Sequence, residues 1–416
     1  MKKVIIITLL TLLSSNAFST TKKELNNALF VAARKGNLTK VKRLIIKGAD
    51  VNTKTRFGWT SLMFACSEGH LGIVKYLISK GSKVNAKNSK GWTALMKACR
   101  KNHLDVVKCL ISKGADLNAR SQLHSTALMY ACYGGSLDVV KYLISKGADL
   151  NARSQPHATA LMYACYGGSL DVVKYLVSKG ANVNAKNIFG WTVLKHACRG
   201  GSLDVVKYLI SKGANVRVKD NDGETAFMIA CRKGSLDLVK YLIFKGADVN
   251  VKNKSGWTVL MEASFKGYFD IVEYLVSKGA NVKVKDNKGE TALMKASHYG
   301  YFDIVKYLVS KGANINAEDN KGETALMDAC YGGSLDIVKY LVSKGAKVNG
   351  KDNYGRTALL FAAYYCRFNI AKYIISKGAN VNAKDKHGKT ALDYAKKENI
   401  KRYLLSVGAK SGKDLK

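Results

Sequence analysis

Seven of the nine cysteines stand in one register, Cys66, Cys99, Cys132, Cys165, Cys198, Cys231 and Cys330. A thiol can bind a metal, form a disulfide or act as a nucleophile, and spacing discriminates among these roles. Equivalent residues of stacked repeating units lie roughly 8–10 Å apart, whereas a disulfide needs Cα atoms within about 7 Å. Small buried thiols are the expectation, and the off-register Cys109 and Cys366 are too far apart in sequence to suggest a pair. Cys99 with His103 and His196 with Cys198 are isolated pairs, with no second ligand pair at zinc spacing. Gly388-Lys389-Thr390 resembles the end of a phosphate-binding loop, but that motif needs glycine where Ala383 stands. No metalloprotease, serine-hydrolase or dinucleotide motif occurs, so neither catalysis nor a cofactor nor a metal is expected.

Binding chemistry is better represented. All four tryptophans, Trp59, Trp92, Trp191 and Trp257, immediately precede a threonine, and the same slot elsewhere holds Ser125, Ala158, Glu224, Arg356 and Lys389. A core slot would not accept Glu and Lys, so this register is expected to face solvent, where tryptophan anchors binding hot spots. A second variable register lies seven residues after the threonine and contains Arg100, Tyr133, Tyr166, Arg199, Arg232 and Phe265. These ten residues are the candidate partner-binding set.

The elements that position them repeat. Thr60, Thr93, Thr126 and their successors to Thr390 follow one another at intervals of 33 residues, with Asn27 one period upstream. That gives twelve units over residues 22–410, the first and last atypical as end caps should be, followed by a polar tail over 411–416. Each unit reads as a strand-like tip followed by two helices. In the unit of residues 118–150, Thr126 caps the first helix and Gly134-Gly135 ends it. Ser136 is expected to cap the second, Leu137, Val140, Leu143 and Ile144 to form its buried stripe, and Gly147 to stop it. The residue five after the threonine is alanine in every unit, from Ala32 to Ala395, which marks a close helix contact.

This pattern resembles the ankyrin repeat over most of the chain. The resemblance implies an all-α repeat solenoid, a stack of about twelve helix-turn-helix units with projecting hairpin loops. It also implies protein binding through a concave groove lined by the two variable registers. Two departures stand out. The proline after the capping threonine is Ala, Ser or Val here, and the family's histidine is usually Met, so methionine packing must replace the histidine's link between repeats. His124 and His157 replace the hairpin glycine in two nearly identical units.

The chain carries 68 Lys and Arg against 30 Asp and Glu, a net charge of +38, which attracts acidic proteins, nucleic acid or anionic membrane surfaces. Lys75, Lys108, Lys141, Lys174 and their equivalents form one row on the second helices, and Lys80, Lys113 and Lys146 begin another. With little aromatic interleaving expected in these rows, base stacking lacks support and nucleic acid is not the favoured partner. Met1-Lys2-Lys3, the apolar run Val4–Leu13 and the small-residue junction after it read as a cleaved secretory signal over residues 1–19. The expectation is an exported, extracytoplasmic, non-catalytic scaffold for a protein partner, which the net charge allows to be acidic, with no transmembrane segment after cleavage. The alternative is electrostatic attachment to lipopolysaccharide, membrane headgroups or nucleic acid.

Overall fold

The computed structural model describes residues 21–415, so the signal segment expected over 1–19 lies outside the described residues. Among the described residues the chain forms 24 helices in twelve pairs, from Lys22–Arg34 with Leu38–Ile46 to Ala391–Tyr394 with Glu398–Ser406. It is an all-α repeat architecture. The chain divides into two compact units, one running to Ile188 and including Asp204–Ala214, the other comprising Phe189–Leu203 and the chain from Asn215.

Within each unit, first helices pack on first helices and second helices on second helices. The alanine five residues after the cap is buried in all twelve repeats, because any larger group would push two first helices apart. The leucine at the second position after the cap is buried from Leu29 to Leu359, with Phe227 in its place once; only Leu392 of the short last helix is partly open. On the second helices the buried residues are those of Val139, Val140 and Leu143 and their equivalents. Each such side chain contributes about 1.5–3 kcal/mol on leaving water. Helices of seven to nine residues, as in Ala127–Tyr133 and Leu137–Ser145, would not persist alone and depend on this stacking.

Threonine stands at the N-cap of the first helices as the sequence implies, and in most of them its hydroxyl makes the capping bond; Thr357 does not. Thr60 Oγ1 accepts the Met63 N–H at 3.2 Å and Thr258 Oγ1 accepts that of Met261 at 3.2 Å. The second helices correct the expectation made at Ser136. It occupies the N-cap position, but its hydroxyl makes no capping bond and has no partner among the described residues. The slot addresses the preceding repeat instead. There His70 Nε2 meets the Arg34 carbonyl and His103 Nε2 the Ser67 carbonyl, each at 3.0 Å, and Arg367 Nη2 donates to Tyr331 O at 3.0 Å.

The link between repeats is also more polar than expected. Methionine does fill the interface, with Met63, Met96 and Met261 at most 1% exposed. Beside it, Asn85 Nδ2 donates to Gly114 O at 2.9 Å while its Oδ1 accepts the Asp116 N–H at 2.9 Å. Asn316 does the same to Gly345 O and the Lys347 N–H in the second unit. One side chain thereby satisfies a helix-terminal carbonyl and a loop donor of the next repeat.

The hairpins pair backbone to backbone, for example Gln122 N–H to Lys90 O at 3.0 Å and Asn320 N–H to Lys288 O at 2.8 Å. Lys54 and Lys219 reach across to Lys87 O and Lys252 O at 3.0 Å each, so part of the positive charge is structural. The tips are not strands; they carry isolated bridges such as Lys252 with Thr258. His124 and His157 take the left-handed conformation of the glycine they replace, at φ 55° and 65°. Residues 411–415 are not a loose tail: Ser411 Oγ and the Gly412 N–H donate to the Asp393 carboxylate at 2.7 and 2.8 Å.

Candidate binding face

Three registers meet on the first-helix side of each unit: the residue before the cap, the fourth after it and the seventh after it. The fourth-position register, which includes Phe64, Lys97, Tyr130, Tyr163, His196, Glu262, Lys295 and Asp328, was not singled out from the sequence. It could have been, because it changes type from repeat to repeat while the neighbouring alanine never does.

In the first unit this face is aromatic and cationic. Trp59 stacks on Phe64 at 4.8 Å between centroids, and Trp92 lies 4.1 Å from Tyr130. Lys97 Nζ sits 4.2 Å from the Trp59 ring and 3.7 Å from the Trp92 ring, and so bridges two repeats. Arg100 lies between Trp92 and Tyr133, at 5.4 and 5.2 Å, and Tyr133 approaches Tyr166 at 5.7 Å. Burial and the neighbouring Arg100, Lys90 and Lys101 pull the Lys97 ammonium down to a pKa of about 8.

In the second unit the same face is threaded with ion pairs. Lys195 is paired with Asp220 and lies 3.4 Å from Glu224, and Arg232 joins Glu224 to Glu262. Lys295 pairs with Glu290, and Arg356 bridges Asp352 and Glu323 at 2.6 Å each. His196 packs edge-on to Trp191 at 5.5 Å, and burial, with Arg199 and Lys195 nearby, lowers its pKa to about 4. Phe265 lies between Trp257 at 5.6 Å and Tyr299 at 4.8 Å.

The tryptophans therefore depart from the solvent-facing ridge expected of them. All four are half-buried, and each has a lysine over its face: Lys97 over Trp59 and Trp92, Lys195 over Trp191 at 4.5 Å, and Lys295 over Trp257 at 4.8 Å. Ser125 and Ala158, in the same register, are buried outright at 1% and 7%. The reason is packing between repeats. The slot lies at the foot of the hairpin, where the indole is covered by a lysine of its own first helix, as Lys195 over Trp191, or of the next one, as Lys97 over Trp59 and Lys295 over Trp257. Of the remaining candidates, Arg100, Tyr166 and Arg199 are exposed, while Tyr133, Arg232 and Phe265 are half-buried.

The second-helix face also corrects the sequence reading. The lysine row Lys75, Lys141 and Lys174 is exposed, but a tyrosine follows each of these residues directly. Lys80, Lys146 and Lys179 sit over those tyrosine rings at 5.7 Å. Aromatic residues are thus interleaved, each already under an ammonium group of its own helix.

All nine cysteines are free, and the seven in register are buried. Burial raises the Cys66 and Cys231 thiols well above their ordinary value and Cys198 to about 12, where they are poor nucleophiles. Among the described residues no group of three or more His, Cys, Asp or Glu side chains is arranged to hold a metal ion. No described helix is long and apolar enough to cross a membrane.

Comparison with known proteins yields two kinds of match. The family described as ankyrin repeats in three copies fits residues 29–121, 118–187, 161–253, 227–319, 260–352, 316–385 and 351–414. Curated relatives match short stretches only. A segment of 50 residues is 46% identical to the mitochondrial disaggregase of Homo sapiens, covering 12% of this chain and 7% of that protein. A segment of 57 residues is 44% identical to the Bos taurus protein, covering 14% and 8%. The shared stretch is less than a tenth of either disaggregase. The overlapping family matches run from residue 29 to 414, over the same threonine-capped helix pairs seen in the structure, and the chain belongs to the ankyrin-repeat family.

Proposed function

We propose that this protein is a non-catalytic scaffold that binds a protein partner through its first-helix face. Ankyrin repeats generally mediate protein–protein interaction, and one observation carries the reading here. The packing registers stay Ala and Leu from repeat to repeat, while the three face registers change among aromatic, basic and acidic types. A solvated face with no role beyond solubility has no need of half-buried aromatic side chains held under cations. The test is a capture assay from the extracytoplasmic fraction with a matched set of variants, at low and high salt. Paired Tyr133→Ala and Tyr166→Ala, with Arg100→Ala separately, should reduce capture of the same partner at least about tenfold. Paired Lys141→Glu and Lys174→Glu on the second helices should leave it unchanged.

A second reading is attachment to an anionic surface such as lipopolysaccharide, membrane headgroups or nucleic acid. The exposed lysine rows of the second helices favour it, and it predicts the opposite ranking of variants together with steep loss of binding in salt. The proposed setting is outside the cytoplasm, on the strength of the Val4–Leu13 apolar run and the junction that follows. Terminal sequencing of protein from that compartment should begin between Ala17 and Thr20; an intact Met1 in the cytosol would sink the proposal.

A further inference from the structure

Lys97 and Lys295 occupy the same position, four residues after the cap, and both lie over tryptophan. Their surroundings differ in one respect. Lys295 pairs with Glu290, and Asp286 Oδ2 stands 3.9 Å from its Nζ. At the two matching positions beside Lys97 the chain has Trp92 and Asn88. Asn88 cannot stand in for the acid, because its Oδ1 already accepts the Lys90 and Trp92 N–H groups at 2.9 Å each. Lys195, one position earlier in its repeat, also has two carboxylates, Asp220 and Glu224.

Among the described residues Lys97 and Arg100 have no carboxylate partner, and the charges that act on Lys97 are those of Arg100, Lys90 and Lys101, all positive. The first helices Ala94–Arg100, Ala127–Tyr133 and Ala160–Gly167 contain no Asp or Glu, and Glu68, in the helix before them, is exposed. A half-buried ammonium held between two indole rings without a counter-ion costs free energy wherever its pKa is depressed. Its two equivalents in the second unit meet that cost with acids of their own.

We propose that Lys97 and Arg100, framed by Trp59, Trp92 and Tyr133, form a subsite for a carboxylate side chain on an acidic segment of the partner. This rests on the reading of the first-helix face as the docking face. The incoming carboxylate takes the place that Glu290 and Asp286 fill beside Lys295. It accepts charge-assisted hydrogen bonds from the ammonium and guanidinium groups, and its methylenes lie along the indole rings. The positive charge of this face is matched by the negative charge of the occupant.

The probe is a fluorescein-labelled peptide of about twelve residues bearing glutamates in a Gly/Ser frame. It is titrated against the full chain, beside a twin with glutamine in place of glutamate and a single-stranded oligonucleotide. The glutamate peptide should bind, with K97Q and R100Q each weakening it at least about tenfold while K141Q and K174Q change nothing. Binding should fall as pH rises past about 8 and persist to higher pH in K97R, whose guanidinium keeps its charge. K97Q should melt no lower than the parent, since it removes an uncompensated charge. If the glutamine twin binds equally and both peptides need Tyr133 and Tyr166, the carboxylate subsite falls while the face reading stands. If no peptide responds to any face variant, both fall. No binding of the glutamate peptide at about 1 mM, or Lys97-dependent binding of the oligonucleotide alone, also overturns the subsite.

Discussion

Lys195 and Asp220 form an ion pair between successive repeats with side-chain exposures of only 2% and 1%. Lys195 occupies the slot held by Met63, Met96, Met129 and Met162 in the preceding repeats and by Met228 and Met261 in those that follow. Asp220 Oδ1 also accepts the Asp222 and Glu224 N–H groups, as Asn88 and Asn253 do in sister hairpins. Asp220→Asn should therefore keep the turn and leave the buried lysine with Glu224 alone, at a cost of up to about 3–5 kcal/mol. Adding Lys195→Met should restore most of it, because Met facing Asn of the next hairpin is the combination already present at Met63 with Asn88 and at Met228 with Asn253. Urea unfolding of the two variants checks this; a double variant no more stable than the single one would refute it.

The nine thiols should be free in protein purified without reductant, and titration after denaturation counts them directly. Under native conditions only Cys109 and Cys366, which are partly exposed, should react quickly with a thiol reagent. The seven in register are held as buried, protonated thiols and should become reactive only on unfolding. Rapid labelling of Cys132 or Cys165 in the folded protein would contradict the packing described.

His157 and Cys366 hold left-handed backbone at φ 65° and 58°, in slots where sister repeats have glycine. A side chain with a Cβ is strained there, so His157→Gly and Cys366→Gly should each stabilise the protein, by about 1 kcal/mol. Thermal melts are the measurement. A loss of stability would mean that the side chain contributes packing worth more than the strain.

His196 should make the second unit sensitive to acid. Burial, followed by Arg199 and Lys195, holds its pKa near 4, while in the unfolded chain it is near the ordinary imidazole value of 6.5. Its ring faces Trp191, and among the described residues Nε2 has no hydrogen-bond partner. Between those two values the unfolded state binds more protons, so stability falls as pH drops from 6.5 through 4. His196→Phe, which copies Phe64 and Phe361 in the same register, should remove this component. The difference in urea midpoint between parent and variant should widen from pH 7 to pH 4.5; a constant difference would rule the mechanism out.

The Lys97 ammonium acts in the opposite range. Its folded pKa of about 8 lies below the ordinary lysine value of 10.5, so the unfolded chain binds more protons between them and stability should rise with pH over that interval. K97Q should abolish that rise in a pH series of melts, whatever the protein binds.

Most of the fold was legible from residues alone. The threonine caps, the glycine stops, the invariant alanine and the leucine stripe act within a few residues of one another, and the period of 33 displays the same local solution again and again. A periodic pattern gives the direction of a Cβ. It does not say what lies opposite, and the misreadings arose there. Ser136 occupies an N-cap slot that addresses the preceding repeat, where His70 meets Arg34. The tryptophan register holds Glu and Lys in sister repeats, and Lys389 is exposed, yet the four tryptophans are half-buried because lysines of the first helices fold over them. That Lys97 lies across Trp59, 38 residues away in sequence, and that Lys195 meets Asp220, 25 away, follows from how one hairpin stacks on the next. Sequence alone determined which residues repeat and which vary; the stacking distance between repeats decided which of the variable ones are covered, paired or left with an unmatched charge.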